Sequence, residues 1–413
     1  MRSSTTKIQL NTVWLKAAVV GGLWASVEII IGSFFHNLRI PFAGSILATN
    51  GTILAIAFYQ MWPEKGLIWR AGLITALMKS ISPSAVILGP MLGILSEALI
   101  LEFFIRFFGN NLISLSIAGA LSVSSAFIHK IISLLILYGL DIARLYVDIF
   151  HFAAKQLRIE DADPWDLIIA LVGVYVVLGI IAAFTGVHIG KRSKKEVFER
   201  KTGQSFKLKD NMQSNIFIVN KEQKFSIPLF FTHLILIPLG LLLVNMTELW
   251  IATVFIAAYS GACIFRYKKS LRRLRKPVFW IQLFILTFLA AIFWNGFHST
   301  GSFFDSSGLL IGLGMNIRAV FVVIAFSSLG IELRNPVIKD FLFNKGISKI
   351  YLALELSFSA LPVMIDAMPK PKVFLLHPVG SFSNMMVQAN KWLEVFKNTN
   401  GKYDVAVTEA KNQ

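Results

Sequence analysis

The sequence predicts an all-α integral membrane protein with about ten transmembrane helices, a six-helix bundle followed by a four-helix unit with cytoplasmic amphipathic helices. Three observations carry this expectation. Hydrophobic residues make up 55% of the 413 and charged residues only 15%. Mean hydropathy is +0.66, well above that of a soluble domain with about 25% charged residues. Apolar runs of roughly 20 residues, the length that crosses about 30 Å of hydrocarbon, recur along the chain. Lys and Arg gather at alternate ends of those runs. The runs are continuous instead of alternating over about ten residues, which argues against a membrane β-barrel.

Composition also narrows the chemistry. Forty Lys and Arg against 23 Asp and Glu leave a formal charge of +17, which on a soluble chain would suggest nucleic acid. In a membrane protein the same excess belongs in cytoplasmic loops. Cys263 is the single cysteine, so neither an intramolecular disulfide nor a cysteine zinc cluster is available.

The first six runs are roughly 13–35, 42–61, 67–88, 91–108, 112–140 and 165–189. Arg2 and Lys7 before the first run suggest a signal sequence, but the run is too long for one and contains Glu28. His36 and Arg39 then follow it in place of a small-residue cleavage site, so it reads as a membrane helix. Acidic residues Asp141, Asp148, Glu160, Asp161 and Asp163 follow the fifth run. There Ile142, Leu145, Ile149 and Phe152 oppose Arg144, Asp148 and Lys155 over 141–156, an interfacial helix that anchors the chain or covers an outward-facing pocket.

A basic segment, 191–226, opens with Lys191, Arg192, Lys194 and Lys195 and is expected in the cytoplasm. Four more runs follow, roughly 227–244, 249–265, 278–297 and 309–329. Alternation puts Arg272, Arg273, Arg275, Lys276, Arg334, Lys339 and Lys345 on the same side as that segment, whereas 245–248 and 298–305 hold no Lys or Arg. Both termini are then cytoplasmic, in a multi-pass protein of the cytoplasmic (inner) membrane. Beyond the last run, 329–345 and 350–368 mix apolar stripes with Glu355, Ser357, Ser359 and Asp366, punctuated by Pro362, Pro369 and Pro371. They read as amphipathic helices that receive a peripheral partner, with an eleventh span over 350–368 as the alternative.

Small residues line the first run at helical spacing: Ala17, Gly21 and Ala25, with Ala18, Gly22 and Ser26 beside them. In lipid such stripes let helix backbones touch, either inside the bundle or against another unit. Ionisable groups at mid-membrane cost about 2.5–3.5 kcal/mol on insertion scales, so they face a partner or a cavity. The N-terminal half holds Glu28, Lys79, Glu97, Glu102, His129 and Lys130, and Asn50 in Ala48-Thr49-Asn50-Gly51-Thr52. Gly89-Pro90 and Ser82-Pro83 interrupt the runs near Glu97 and Lys79, and irregular backbone at membrane depth belongs where it is buried or lines a cavity. Asn50, Lys79 and Glu97 are therefore candidate substrate-binding residues, with internal ion pairing as the other reading. His129 has no second ligand at metal spacing, and no metal site is expected.

The chain lacks G-x-x-x-x-G-K-[ST], paired-histidine and G-x-S-x-G patterns, so no ATP hydrolysis or other enzyme activity of its own is expected. Arg272, Arg273, Arg275 and Lys276 flank apolar spans, where such clusters fix topology and touch anionic lipid, not nucleic acid.

Six helices with both ends inside, a small-residue first helix and the stretch Ile87-Leu88-Gly89-Pro90-Met91-Leu92-Gly93 resemble the substrate-binding S component of energy-coupling factor (ECF) transporters. The second half is similar to their coupling T component. The residues that carry this are Gly312-Leu313-Gly314-Met315-Asn316-Ile317-Arg318-Ala319, Ser328-Leu329-Gly330-Ile331-Glu332-Leu333-Arg334-Asn335-Pro336 and Ala360-Leu361-Pro362-Val363-Met364-Ile365-Asp366-Ala367. The resemblance implies a fusion: an S-like domain over 1–190, a basic linker over 191–226 and a T-like domain over 227–413. It implies that Ala17, Ala18, Gly21, Gly22 and Ala25 pack the first helix against the coupling component. It implies a vitamin or similar micronutrient as substrate, no cofactor on this chain, and ATP acting through ABC-type ATPase subunits in trans. The family's coupling helices end in Ala-Arg pairs, but this chain reads Ala367-Met368-Pro369-Lys370. Glu332, Arg334, Lys370 and Lys372 are the candidate ATPase contacts. Two other classes stay open: a self-contained ion-coupled secondary transporter using Glu28, Glu97 or His129, and a non-transporting membrane scaffold or lipid-modifying enzyme.

Overall fold

A computed structural model of the protein describes residues 10–37, 42–79, 88–159, 163–199, 227–267, 277–293, 306–332, 348–369 and 371–399. Its elements, in chain order, are all α-helices: α1 (Thr12–Asn37), α2 (Ala43–Met61), α3 (Leu67–Lys79), α4 (Leu88–Phe108), α5 (Leu112–Tyr138), α6 (Asp141–Gln156) and α7 (Pro164–Glu199). They continue as α8 (Ile227–Met246), α9 (Leu249–Tyr267), α10 (Pro277–Phe293), α11 (Ser306–Glu332), α12 (Ser348–Asp366), α13 (Pro371–Leu376) and α14 (Pro378–Thr399).

Five helices among the described residues are long and apolar enough to cross a membrane: Thr12–Gly32, Leu112–Tyr138, Pro164–Lys195, Trp250–Tyr267 and Ser307–Ala325. The protein is thus a helical membrane protein, with fewer such helices than the ten runs expected. The difference has two sources. Some runs become short apolar helices, as at Pro228–Leu243 and Leu283–Phe293, and α3 is described only as far as Lys79, with 80–87 outside the described residues. Other runs carry polar side chains that neighbouring helices cover. Helix α4 has buried Glu97 and Glu102, with exposed Arg106 beyond them, within 21 residues.

Local signals explain several helix ends. Asn111 caps α5 by accepting from the Ser114 backbone N–H at 2.8 Å, and Gly139, at φ +77°, ends it. Buried Glu102 on α4 accepts backbone N–H groups from Gly66 (2.5 Å) and Ile68 (3.2 Å) at the start of α3. Its charge therefore serves a helix N-terminus, where orphan donors and the helix dipole both favour an anion.

Packing follows small residues, as it must where lipid supplies no hydrophobic force between helices. Helices α5 and α7 cross at Gly119 and Gly179: a Cβ on Gly119 would lie 2.5 Å from the Gly179 carbonyl oxygen. Further along α7, Gly186 and Gly190 meet the α2 carbonyls of Ile53 and Ala57. Apolar residues of α5 and α7 such as Ile113, Ile128, Trp165, Ile169 and Ile181 point outward, as a lipid-facing surface requires. Helix α1 is the opposite case, with 83% of its apolar window buried. It is enclosed by α2, α3, α12 and α14.

One core cluster joins α1 to α5 and α7 with α12, α13 and α14, whereas α8, α9 and α11 build a second. The last three helices thus pack on the N-terminal bundle: Ser193 on α7 hydrogen-bonds Ser383 on α14 at 3.1 Å. Helix α7 runs on through Glu199, so the start of the basic segment is helical. Amphipathic α6 meets the second unit through Phe152 and Phe293, ring centroids 5.1 Å apart. Beside it, the buried Arg318 guanidinium occupies the space a side chain at Gly139 would need.

Candidate functional site

Inside the N-terminal bundle, α1, α2, α4 and α5 bring Trp24, Gly51, Thr52, Glu97 and Ser122 together. Glu97 is 3% exposed. Thr52 Oγ1 donates to Glu97 Oε1 at 2.9 Å, and Ser122 Oγ donates to the Glu97 carbonyl at 3.3 Å. Gly51 lets them close up: a Cβ there would stand 2.7 Å from Glu97 Oε1 and 3.0 Å from Trp24 Nε1. The Trp24 indole N–H is fully buried and has no hydrogen-bond partner among the described residues. An indole donor, a carboxylate acceptor and two hydroxyls thus converge where desolvation makes every polar contact count.

One turn along α1, Glu28 faces Lys79 of α3. Lys79 Nζ donates to the Glu28 backbone carbonyl at 2.8 Å and lies 3.4 Å from Glu28 Oε2. Gly32 leaves room for the ammonium, since a Cβ there would approach it to 3.1 Å. Removing one partner of a buried pair typically costs about 3–5 kcal/mol, so this contact fastens α1 to α3. Of the three candidate substrate residues, Glu97 stands in the convergent cluster and Lys79 is engaged by Glu28. Asn50 is half-buried on α2. Sequence reasoning missed Trp24, Thr52 and Ser122. Trp24 precedes Glu28 by one turn, which puts both on one face of α1, and that spacing was the available signal.

The small residues of α1 divide between two neighbours. Gly21 faces α3, where Thr75 Oγ1 donates to its carbonyl at 3.1 Å. Ala18 and Gly22 face α12: Ser357 Oγ donates to the Ala18 carbonyl at 2.8 Å, and a Cβ on Gly22 would meet Met364 Sδ at 2.9 Å. Ala17 and Ala25 are fully buried. A cavity of about 320 Å³ opens where α12 ends, lined by Met368, Pro369, Asn384, Gln388 and Lys391.

Among the expected ATPase contacts, Glu332 lies on α11. It is 0% exposed because its carboxylate accepts from the Tyr267 hydroxyl at 2.6 Å, inside a polar network of α8, α9 and α11. Arg334 and Lys370 lie outside the described residues, and Lys372 is in α13. His233 continues the network, 3.1 Å from the Tyr267 hydroxyl through Nε2 and 2.7 Å from the Tyr259 hydroxyl through Nδ1. Among the described residues, no three His, Cys, Asp or Glu side chains gather to hold a metal ion. No known protein family, curated protein or solved structure matches this chain.

Proposed function

We propose that the protein is the membrane component of an ATP-driven importer of the ECF type, combining capture of a vitamin-like micronutrient with coupling to separate ABC-type ATPases. The observation that supports this reading is the seating of α12 on Ala18 and Gly22. Through it a C-terminal helix grips the helix that carries Trp24 and Glu28 into the polar interior. A movement of α12 is passed to α1, and from α1 to the Trp24–Glu97 cluster. ATP drives such a cycle only if its binding and release favour different arrangements of α1 and α12. The interior cluster supplies donor and acceptor groups for a small polar ligand, and the closure of Trp24 and Glu97 over Gly51 is the occluded arrangement.

Energy source is the discriminating property. In vesicles from cells expressing the protein, loaded with ATP and offered a pool of labelled vitamins and precursors, uptake is expected to stop with orthovanadate and to persist with a protonophore. Uptake that persists with orthovanadate and stops with a protonophore contradicts the reading. It would favour the ion-coupled secondary transporter, for which the buried Glu28 and Glu97 are the supporting observation.

A further inference from the structure

A second cavity, of about 310 Å³, lies between α2, α5 and α7 and shares no lining residue with the Trp24–Glu97 cluster or the α1–α12 contact. Its α7 wall is one helical stripe. Phe184, Val187, His188 and Lys191 recur at steps of three, one and three residues and so share a face. Along that stripe the side chains change from apolar to polar within two turns. The opposite wall changes in the same direction: Leu115 and Leu112 of α5 give way to Asn110, and Gln60 from the last turn of α2 joins the polar end.

Close backbone contact builds this geometry. A Cβ on Gly186 would lie 2.9 Å from the Ile53 carbonyl oxygen, and one on Gly190 would lie 2.6 Å from both the Ala57 carbonyl oxygen and Gln60 Cβ. Helix α7 therefore lies directly on α2, and Lys191, the next residue, stands beside Gln60. Gln60 Nε2 donates to Asn110 Oδ1 at 2.6 Å, and Asn110 Nδ2 donates to Gln60 Oε1 at 3.4 Å. This reciprocal pair uses one N–H of each amide and leaves the other. His188 presents a ring N–H in either tautomer, and Lys191 an ammonium. No carboxylate lines the cavity, so its polar end is made for an anion.

The apolar end is continuous with the lipid-facing surface. Phe184 is 50% and Leu112 44% exposed, next to outward-facing Ile181 and Ile113. Tryptophans mark the polar end as headgroup level, where their amphipathic rings collect. Trp62 follows Gln60 by two residues and lies under the Lys16 ammonium, and the Trp14 and Trp69 rings meet at 6.1 Å at the starts of α1 and α3.

We propose that this cavity binds an anionic phospholipid, with its phosphate at Lys191, His188 and the Gln60–Asn110 pair and its acyl chains running out past Val187 and Phe184. Charge selects the lipid. Arg192, Lys194 and Lys195 continue α7 beyond the cavity, and Glu64, in the turn after α2, is taken up by Lys16. A zwitterionic headgroup would bring its own cation to a wall that holds an ammonium and no carboxylate. The site is independent of what powers import: it holds lipid whether or not ATPases associate with the chain.

The test is photolabelling of the full-length protein in phosphatidylcholine vesicles that carry a minor fraction of phosphatidylglycerol with a diazirine in its acyl chain. The labelled peptides are then read by mass spectrometry. Peptides holding Leu112 and Phe184 are expected to be labelled more strongly by the phosphatidylglycerol probe than by its phosphatidylcholine counterpart. Peptides around the lipid-facing Ile128 and Ile132 are expected to take both alike. Lys191→Gln is expected to lower the phosphatidylglycerol labelling at Leu112 and Phe184 by about fivefold, whereas Lys194→Gln, an equal loss of charge on the same helix, leaves it unchanged. Should Lys191→Gln fail to fold, Asn110→Asp, which puts an anion where a donor stood, is expected to lower the labelling at least as far. Equal labelling by the two lipids overturns the proposal, as does an equal loss in the Lys191 and Lys194 variants. Loss of the preference on adding millimolar inorganic phosphate also overturns it, by making the cavity a site for a free anion.

Discussion

Replacing Glu97 with alanine is expected to weaken ligand binding by about 5- to 150-fold, the equivalent of the 1–3 kcal/mol typical of a buried polar group left without its partner. The probe is whichever vitamin or precursor most raises the melting temperature of the purified wild-type protein. Glu97 is buried, holds the Thr52 hydroxyl at 2.9 Å and borders the unpartnered Trp24 indole, so its carboxylate is the strongest acceptor in the cluster. Glu97→Gln retains an oxygen for Thr52 and replaces the other carboxyl oxygen with an amide nitrogen, and its affinity is expected to fall between the two. Calorimetric titration of the three proteins reads the series. Equal affinity in all three removes Glu97 from the site and leaves it a purely structural residue. Lys79→Ala is a useful contrast, because its partner Glu28 is then a buried, uncompensated charge and the first casualty is stability.

Gly22→Leu is expected to cut uptake of the same compound by tenfold or more while its binding survives. At Gly22 the neighbour is Met364 Sδ, the far end of a flexible side chain, with Ser357 Cβ 3.7 Å away. Alanine therefore needs only a shift of Met364, and Gly22→Ala is expected to transport nearly as wild type. Leucine must displace Met364 and crowd Ser357, whose hydroxyl holds the Ala18 carbonyl at 2.8 Å. Overpacking of this kind costs about 1–3 kcal/mol, concentrated on the α1–α12 contact. Because Gly22 faces away from Thr75 and α3, the bundle interior is spared. Wild-type uptake by Gly22→Leu would show that the α12 seat on α1 transmits nothing.

What the sequence reveals and what it hides divide along contact distance. The long apolar runs were legible because lipid demands that each spanning segment satisfy its own backbone, and the amphipathic α6 because its period is local. The small stripe of α1 was legible for the same reason. Its division between α3 and α12 was not, since Ser357 lies 339 positions from Ala18. Glu102 read as one more candidate charge, and only the start of α3, over 30 positions away, reveals its duty as a cap. Internal ion pairing was one of the two readings of Lys79, but its partner Glu28, 51 positions away, was not legible. Glu332 entered as a candidate ATPase contact through the family resemblance, and its hydrogen bond to Tyr267 on another helix had no local signal. No spacing within one helix announces a chain built from three.

The central claim, that this chain works with ABC-type ATPases held through its C-terminal helices, is tested most directly by what accompanies it out of the membrane. The tagged full-length protein is crosslinked in its native membrane, purified in mild detergent, and its partners are identified by mass spectrometry. ABC-type ATPases in stoichiometric amounts, lost when 348–399 is deleted, are the expected result. Purification free of ATPases even after crosslinking would contradict the account and leave the chain without its energy source.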